Sequence, residues 1–198
     1  MRALGRGSLA SFIKVALEVQ WWFLWIAAAA LVLGTVGYLI VVGMIEGGML
    51  EASLLEPGQG RQTIGPITIE TDKDDQLSWQ LVSIGLLGGA VAIGGSLVII
   101  QRLRRLFASF TTGDPFSRDN ATHLRVIWIA MLVMELSRYA IAGTVMGLVT
   151  LLGQPGSTEI NVQSPVNFLT WAAIMILIVL AEVFREGARL REEQDLTI

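Results

Sequence analysis

The chain contains no cysteine, a single histidine and little charge: 16% of its 198 residues are Asp, Glu, Lys or Arg. Without thiols there is no disulfide framework, no thiolate metal site and no cysteine nucleophile. Soluble domains carry about 25% charged residues, so the polar surface of a water-soluble globule is missing. A net charge of −3 and a pI of about 5.2 exclude a general attraction to nucleic acid, and no direct nucleic-acid binding is expected. The lone His123 lies in a basic stretch with no acidic or histidine cluster at metal-ligand spacing. No GxSxG, HExxH or phosphate-binding glycine loop occurs. The expectation is a protein that is not an enzyme, with no catalytic residue, no metal and no cofactor.

What the chain has in abundance is apolar sequence, 53% of it, with a mean hydropathy of +0.62. These residues fall into four continuous blocks, 19–45, 77–100, 126–152 and 166–184. At about 1.5 Å of rise per residue even the shortest reaches close to 30 Å, the thickness of a hydrocarbon core. Strand spans of a β-barrel would alternate instead. The first block opens with Trp21, Trp22 and Trp25, aromatic side chains of the kind that gather at the lipid–water boundary. A basic flank precedes it, but the block is longer than the 7–15 apolar residues of a signal peptide, so a retained anchor is expected. The expected fold class is all-α transmembrane: one integral membrane domain over 1–198, a four-helix polytopic bundle in the lipid bilayer.

The Lys and Arg residues orient these spans. Three lie in the N-terminal tail, five in the loop 101–125 and three in the tail 185–198, eleven in all. The loops 46–76 and 153–165 hold only Arg61 and Lys73. The positive-inside rule puts both termini and the 101–125 loop in the cytoplasm. Seven acidic residues between Glu46 and Asp75 suit the opposite face. There, Thr63–Glu70 alternates in a two-residue period broken by Gly65-Pro66, and Glu159–Gln163 alternates again. These outer segments are expected to pair as a small extracytoplasmic β element, with irregular loops as the alternative.

Within the lipid, an ionisable side chain demands a partner. Glu135 and Arg138 fall near the midplane of the third span and, three residues apart, share a helix face. No other span carries an ionisable residue at that depth. Three readings follow: a self-neutralised structural pair, part of an ion or proton pathway, or a buried contact with a partner subunit. Gly85, Gly88, Gly89, Ala92 and Ser96 in the second span, with Gly143 and Gly147 in the third, form small-residue ladders that permit close helix packing. Those ladders fit packing inside one bundle or the seam of a homo-oligomer.

After the second span, Leu103, Leu106, Phe107 and Phe110 recur at helical spacing between Arg102, Arg104 and Arg105, which suggests an amphipathic continuation along the inner leaflet. Thr111–Pro115 is expected to break it, and Ser117 to cap the helix that follows. The run Gly113-Asp114-Pro115-Phe116 with Asn120 and Leu124-Arg125, together with Phe184-Arg185-Glu186-Gly187 to Asp195-Leu196-Thr197-Ile198, resembles a bacterial membrane family catalogued as domain of unknown function 2975. The resemblance spans the second block to the C-terminus. It implies a four-span inner-membrane protein, and, because many members are encoded beside a small helix-turn-helix regulator of the Xre type, one that binds or sequesters that regulator. It brings no catalytic residues.

The leading expectation is therefore a non-enzymatic membrane regulator or scaffold with a cytoplasmic partner surface. Its candidate residues are Arg102, Arg104, Arg105, Asp114, Pro115, Phe116, Asn120, Arg125, Glu182, Arg185, Glu186, Arg189, Glu193 and Asp195. The alternative is a small transporter or channel component using Glu135 and Arg138.

Overall fold

The computed structural model describes residues 9–49, 60–64, 67–71, 78–112, 118–152, 158–162 and 166–195. Along the chain these form α1 (Leu9–Glu46), β1 (Gly60–Ile64), β2 (Ile67–Thr71), α2 (Ser78–Thr112), α3 (Arg118–Leu152), β3 (Thr158–Val162) and α4 (Phe168–Asp195). All four helices are long and apolar enough to cross a membrane. In lipid a spanning segment must satisfy its backbone polar groups internally, and a helix does so within one segment. The hydroxyls inside these helices follow the same rule. Thr35, Thr144 and Thr150 donate to the carbonyls of Leu31, Ala140 and Met146 one turn back, at 2.8, 2.9 and 2.7 Å.

The helices outrun their apolar blocks. α2 has 35 residues, about 52 Å at 1.5 Å per residue, against about 30 Å of hydrocarbon. Most of the 101–125 segment is accordingly helical. Arg102–Phe110 continues α2 without a break, as its helical spacing leads one to expect, and α3 begins at Arg118. Hydropathy marks where lipid ends, not where hydrogen bonding ends, and arginine is a good helix former. The expected Ser117 cap lies outside the described residues.

Two ends show how the sequence stops a helix. Gly48 closes α1 with φ of +69°, the left-handed conformation that costs a glycine nothing. Met49 N–H donates to the Met44 carbonyl at 2.9 Å and Gly48 N–H to that of Ile45 at 3.0 Å, the paired bonds of a Schellman cap. At the start of α4, Asn167 Oδ1 accepts from the amides of Leu169 and Thr170, at 3.1 and 3.3 Å.

The chain divides into two compact units. One comprises Met1–Ile26, Ile93–Met134 and Asn167–Ile198; the other comprises Ala27–Ala92 and Glu135–Val166. The first holds a packed core: Leu106, Leu124 and Ala181 are buried, with Leu103, Phe110, Trp128, Leu177 and Phe184 packed against them. Phe107, Phe110 and Phe184 form a ring series with centroids 5.9 and 6.3 Å apart. Gly95 lets α2 approach α3 here, since a methyl group at that position would lie 2.3 Å from Met134 Sδ.

The second unit holds an antiparallel sheet of order β1-β2-β3, with Ile64 opposite Ile67 and Ile69 opposite Ile160. In this unit Gly88 and Gly89 make the close approaches, towards Ile141 and Leu31. The other glycine rungs make no such approach among the described residues. Gly85, Gly143 and Gly147 have open space where a methyl group would stand, and Ala92 is exposed. Spacing alone could not tell which rung faces a neighbouring helix.

Large apolar side chains face outward in quantity, among them Phe12, Trp22, Phe23, Leu33 and Leu39 of α1, and no part of the most apolar window of α1 is buried. An exterior of this kind marks lipid as the solvent.

Candidate functional site

The basic ends of the helices carry two clefts, both within the first unit. α3 contributes Arg118, Ala121, Thr122, Arg125 and Trp128 to one cleft, a stripe repeating every three or four residues along one helix face. α4 answers with Ile178, Ala181, Glu182, Arg185, Glu186 and Arg189 at the same period. Together they line a groove of about 660 Å³. Its floor is apolar, from Trp128, Ile178 and Ala181, and its rim is charged.

Most rim charges are already paired. Glu182 accepts from Arg185, Glu186 lies 2.7 Å from Arg189, and Arg118 bridges to Glu192 of α4 at 2.8 Å. Arg189 also reaches Glu193 at 3.4 Å. These exposed pairs are each worth about 0–1 kcal/mol, so they orient side chains more than they hold the fold. Arg125 is exposed and has no ion pair among the described residues, so it is a cation on the rim left without a fixed partner there.

The second cleft, of about 630 Å³, lies between α1 and α2. Ile13, Lys14, Leu17, Glu18 and Trp21 line it from α1; Gln101, Arg104, Arg105, Phe107, Ala108 and Phe110 line it from α2. Arg104 donates to both carboxylate oxygens of Glu18, at 3.0 and 2.9 Å, and its guanidinium sits 5.2 Å from the Trp21 ring centroid. Both bonds come from the one nitrogen Nη2, so a charge-assisted ion pair is joined to a cation–π contact.

The expected partner surface is thus divided. Arg125, Glu182, Arg185, Glu186 and Arg189 meet in the α3/α4 groove, while Arg104 and Arg105 belong to the α1/α2 cleft. Arg102 lines neither; its Nη1 lies 3.5 Å from His123 Nδ1. Asn120 is a correction. It is 1% exposed and its Oδ1 accepts from Ser109, so it ties α2 to α3 from inside instead of meeting a partner. A buried amide must be satisfied internally. Asp114, Pro115 and Phe116 lie outside the described residues, as does the Asp195 side chain.

Several lining residues escaped the sequence reading. Glu18 was marked only by being the sole acid before Glu46. Trp128 carried a usable signal: it stands three residues after Arg125, on the same stripe as Arg118.

A third polar group lies in the second unit. Glu135 is 6% exposed, and its Oε1 accepts from both Arg138 Nη2 and Tyr139 Oη, each at 2.8 Å. The Arg138 guanidinium lies 5.5 Å from the Tyr139 ring centroid. Among the described residues the carboxylate is met from its own helix alone, at spacings of three and four residues.

Four membrane-capable helices with an apolar exterior and polar clefts at their basic ends define a multi-pass α-helical membrane protein. Residues 62–198 match the family described as Protein of unknown function (DUF2975), and the chain belongs to that family. The match begins within β1 and runs through α4, so α1 stands outside it. No curated protein and no solved structure matches the chain.

Proposed function

We propose that this protein is a non-enzymatic regulator or scaffold of the bacterial inner membrane. Both its termini lie in the cytoplasm, and its β1-β2-β3 sheet lies on the outer face. Its α3/α4 groove docks a soluble cytoplasmic partner, an Xre-type helix-turn-helix regulator of the kind the family resemblance implies. One observation carries the reading: an apolar floor containing Trp128 runs between two charged rims, with Arg125 left unpaired among the described residues. Such a groove suits an amphipathic helix, whose apolar face takes the floor while its acidic flank meets Arg125. Trp and Arg are also the side chains that dominate binding energy at interfaces.

The test is a pull-down of the neighbouring regulator by the full-length protein in detergent. Wild type retains the regulator, and Arg125→Glu with Trp128→Ala lowers retention at least tenfold. If the double variant holds the regulator as well as wild type does, the groove is not the docking surface. Retention undiminished by removal of residues 187–198 would also count against a role for the α4 tail.

One observation favours a second reading, a small transporter or channel component: Glu135 is a carboxylate buried in a membrane-capable helix. Under that reading Glu135→Gln changes solute or ion flux into proteoliposomes while insertion stays intact. Flux at the level of protein-free liposomes for wild type would end it.

A further inference from the structure

The α1/α2 cleft has a composition that the α3/α4 groove lacks. Its floor is built from Ile13, Leu17, Phe107 and Phe110, of which Leu17 is buried and the others are half-buried. All four belong to stretches of α1 and α2 that are long and apolar enough to lie in a membrane. The cleft is therefore reached from the lipid as well as from water. A volume of about 630 Å³ falls within the range of about 300–1,000 Å³ common to small-ligand sites.

Its rim is cationic with charge to spare. Glu18, the carboxylate in the cleft, has both oxygens engaged by Arg104, which cancels one positive charge against one negative. Lys14 and Arg105 are exposed on the same cleft and have no ion pair or hydrogen bond among the described residues. Arg104 is held over Trp21 and is not free to swing away. What remains is two uncommitted cations above an apolar slot at the basic end of two spanning helices.

We propose that this cleft is a binding site for one anionic phospholipid. The headgroup phosphate is held by Lys14 and Arg105, and an acyl chain lies along Ile13, Leu17, Phe107 and Phe110. A water-soluble anion would use the cations but not the slot, and a zwitterionic lipid would use the slot but bring its own cation to the rim. Basic pockets between spanning helices recognise anionic headgroups by this combination. The site is separate from the α3/α4 groove and stands whether or not that groove docks a regulator.

The experiment is native mass spectrometry of the full-length protein in a mild detergent, titrated with phosphatidylglycerol or with phosphatidylcholine of identical chains. Wild type retains one phosphatidylglycerol per chain in preference to phosphatidylcholine. Each lost surface cation weakens attraction to an anionic lipid about fivefold, so Lys14→Ala with Arg105→Ala weakens retention about twenty-five-fold. Lys14→Arg with Arg105→Lys, which keeps both charges, retains it. Arg125→Ala with Arg189→Ala removes the same charge from the other groove and leaves retention unchanged. The proposal is overturned by equal retention of the two lipids, or by equal loss in the two alanine pairs. It is also overturned if glycerol phosphate displaces the lipid at equal concentration, which would make the ligand a free phosphate.

Discussion

At the scale of single residues, the decisive feature is a carboxylate placed where charge is expensive. Glu135 survives in α3 because two donors from its own helix, Arg138 and Tyr139, converge on one oxygen at 2.8 Å. Removing one partner of a buried ion pair strands the other, at a cost of about 3–5 kcal/mol, whereas replacing both by apolar groups is often neutral. Arg138→Met alone is therefore expected to lower stability by roughly that amount, and Glu135→Leu with Arg138→Met by far less. Thermal unfolding in detergent measures both, and equal losses in the two variants would show that the pair is not coupled. Spacing predicted that this pair shares a face. The third member, Tyr139, was legible only as a nearby polar group, because a helical residue one place further along reaches the same oxygen only in a particular rotamer.

The glycines make the same point about what a sequence can and cannot carry. Gly94 and Gly95 are neighbours in α2, yet a methyl group at Gly95 would lie 2.3 Å from Met134 Sδ and 2.5 Å from its Cγ, while Gly94 faces open space. Overpacking a fitted contact costs about 1–3 kcal/mol. Gly95→Ala is thus expected to destabilise by that amount, and Gly94→Ala to leave stability unchanged or slightly raised through helix propensity. The comparison is made by thermal unfolding of the two variants side by side. In the sequence both are adjacent glycines of one glycine-rich span, and only the neighbouring helix distinguishes them.

At the scale of elements, four helices were legible because a bilayer leaves no other solution for long apolar runs. One end was legible as well: the helical spacing of Leu103, Leu106, Phe107 and Phe110 carries α2 past Arg102, Arg104 and Arg105 to Thr112, within the stretch expected to break it. The strands sit where the sequence alternates, although β1 starts at Gly60, ahead of the alternation, and pairs Arg61 with Glu70 in register. Helix ends that close on a local motif are testable. Gly48 adopts a φ of +69°, which costs a residue with a Cβ about 1–2 kcal/mol. Gly48→Ala should speed hydrogen exchange at the Met49 amide, which bonds to Met44 in the Schellman cap, and leave exchange in the middle of α1 untouched. The clefts, by contrast, were only half visible. Periodicity gives the stripe Arg118–Arg125–Trp128 on α3, but not that the stripe of α4 faces it, nor that Glu18 is joined to Arg104 eighty-six residues away.

At the scale of the whole molecule, eleven basic residues on one set of segments against two on the other make a topology that can be measured directly, since the chain has no cysteine of its own. The asymmetry acts during insertion, when Lys and Arg near span ends resist transfer across the membrane. Single cysteines introduced one at a time then report sidedness against a silent background. Ser53→Cys and Ser157→Cys, in the segments 46–76 and 153–165, should react with an impermeant maleimide in intact cells. Thr197→Cys should react only after the membrane is opened. Labelling of Thr197→Cys in intact cells would put the α3/α4 groove on the wrong side for a cytoplasmic regulator and remove the main functional reading. The lipid site would survive that result, because Lys14 and Arg105 would then meet the anionic lipid of the opposite leaflet. The two proposals are separable because one depends on which compartment the basic ends face, and the other only on their lying at a lipid boundary.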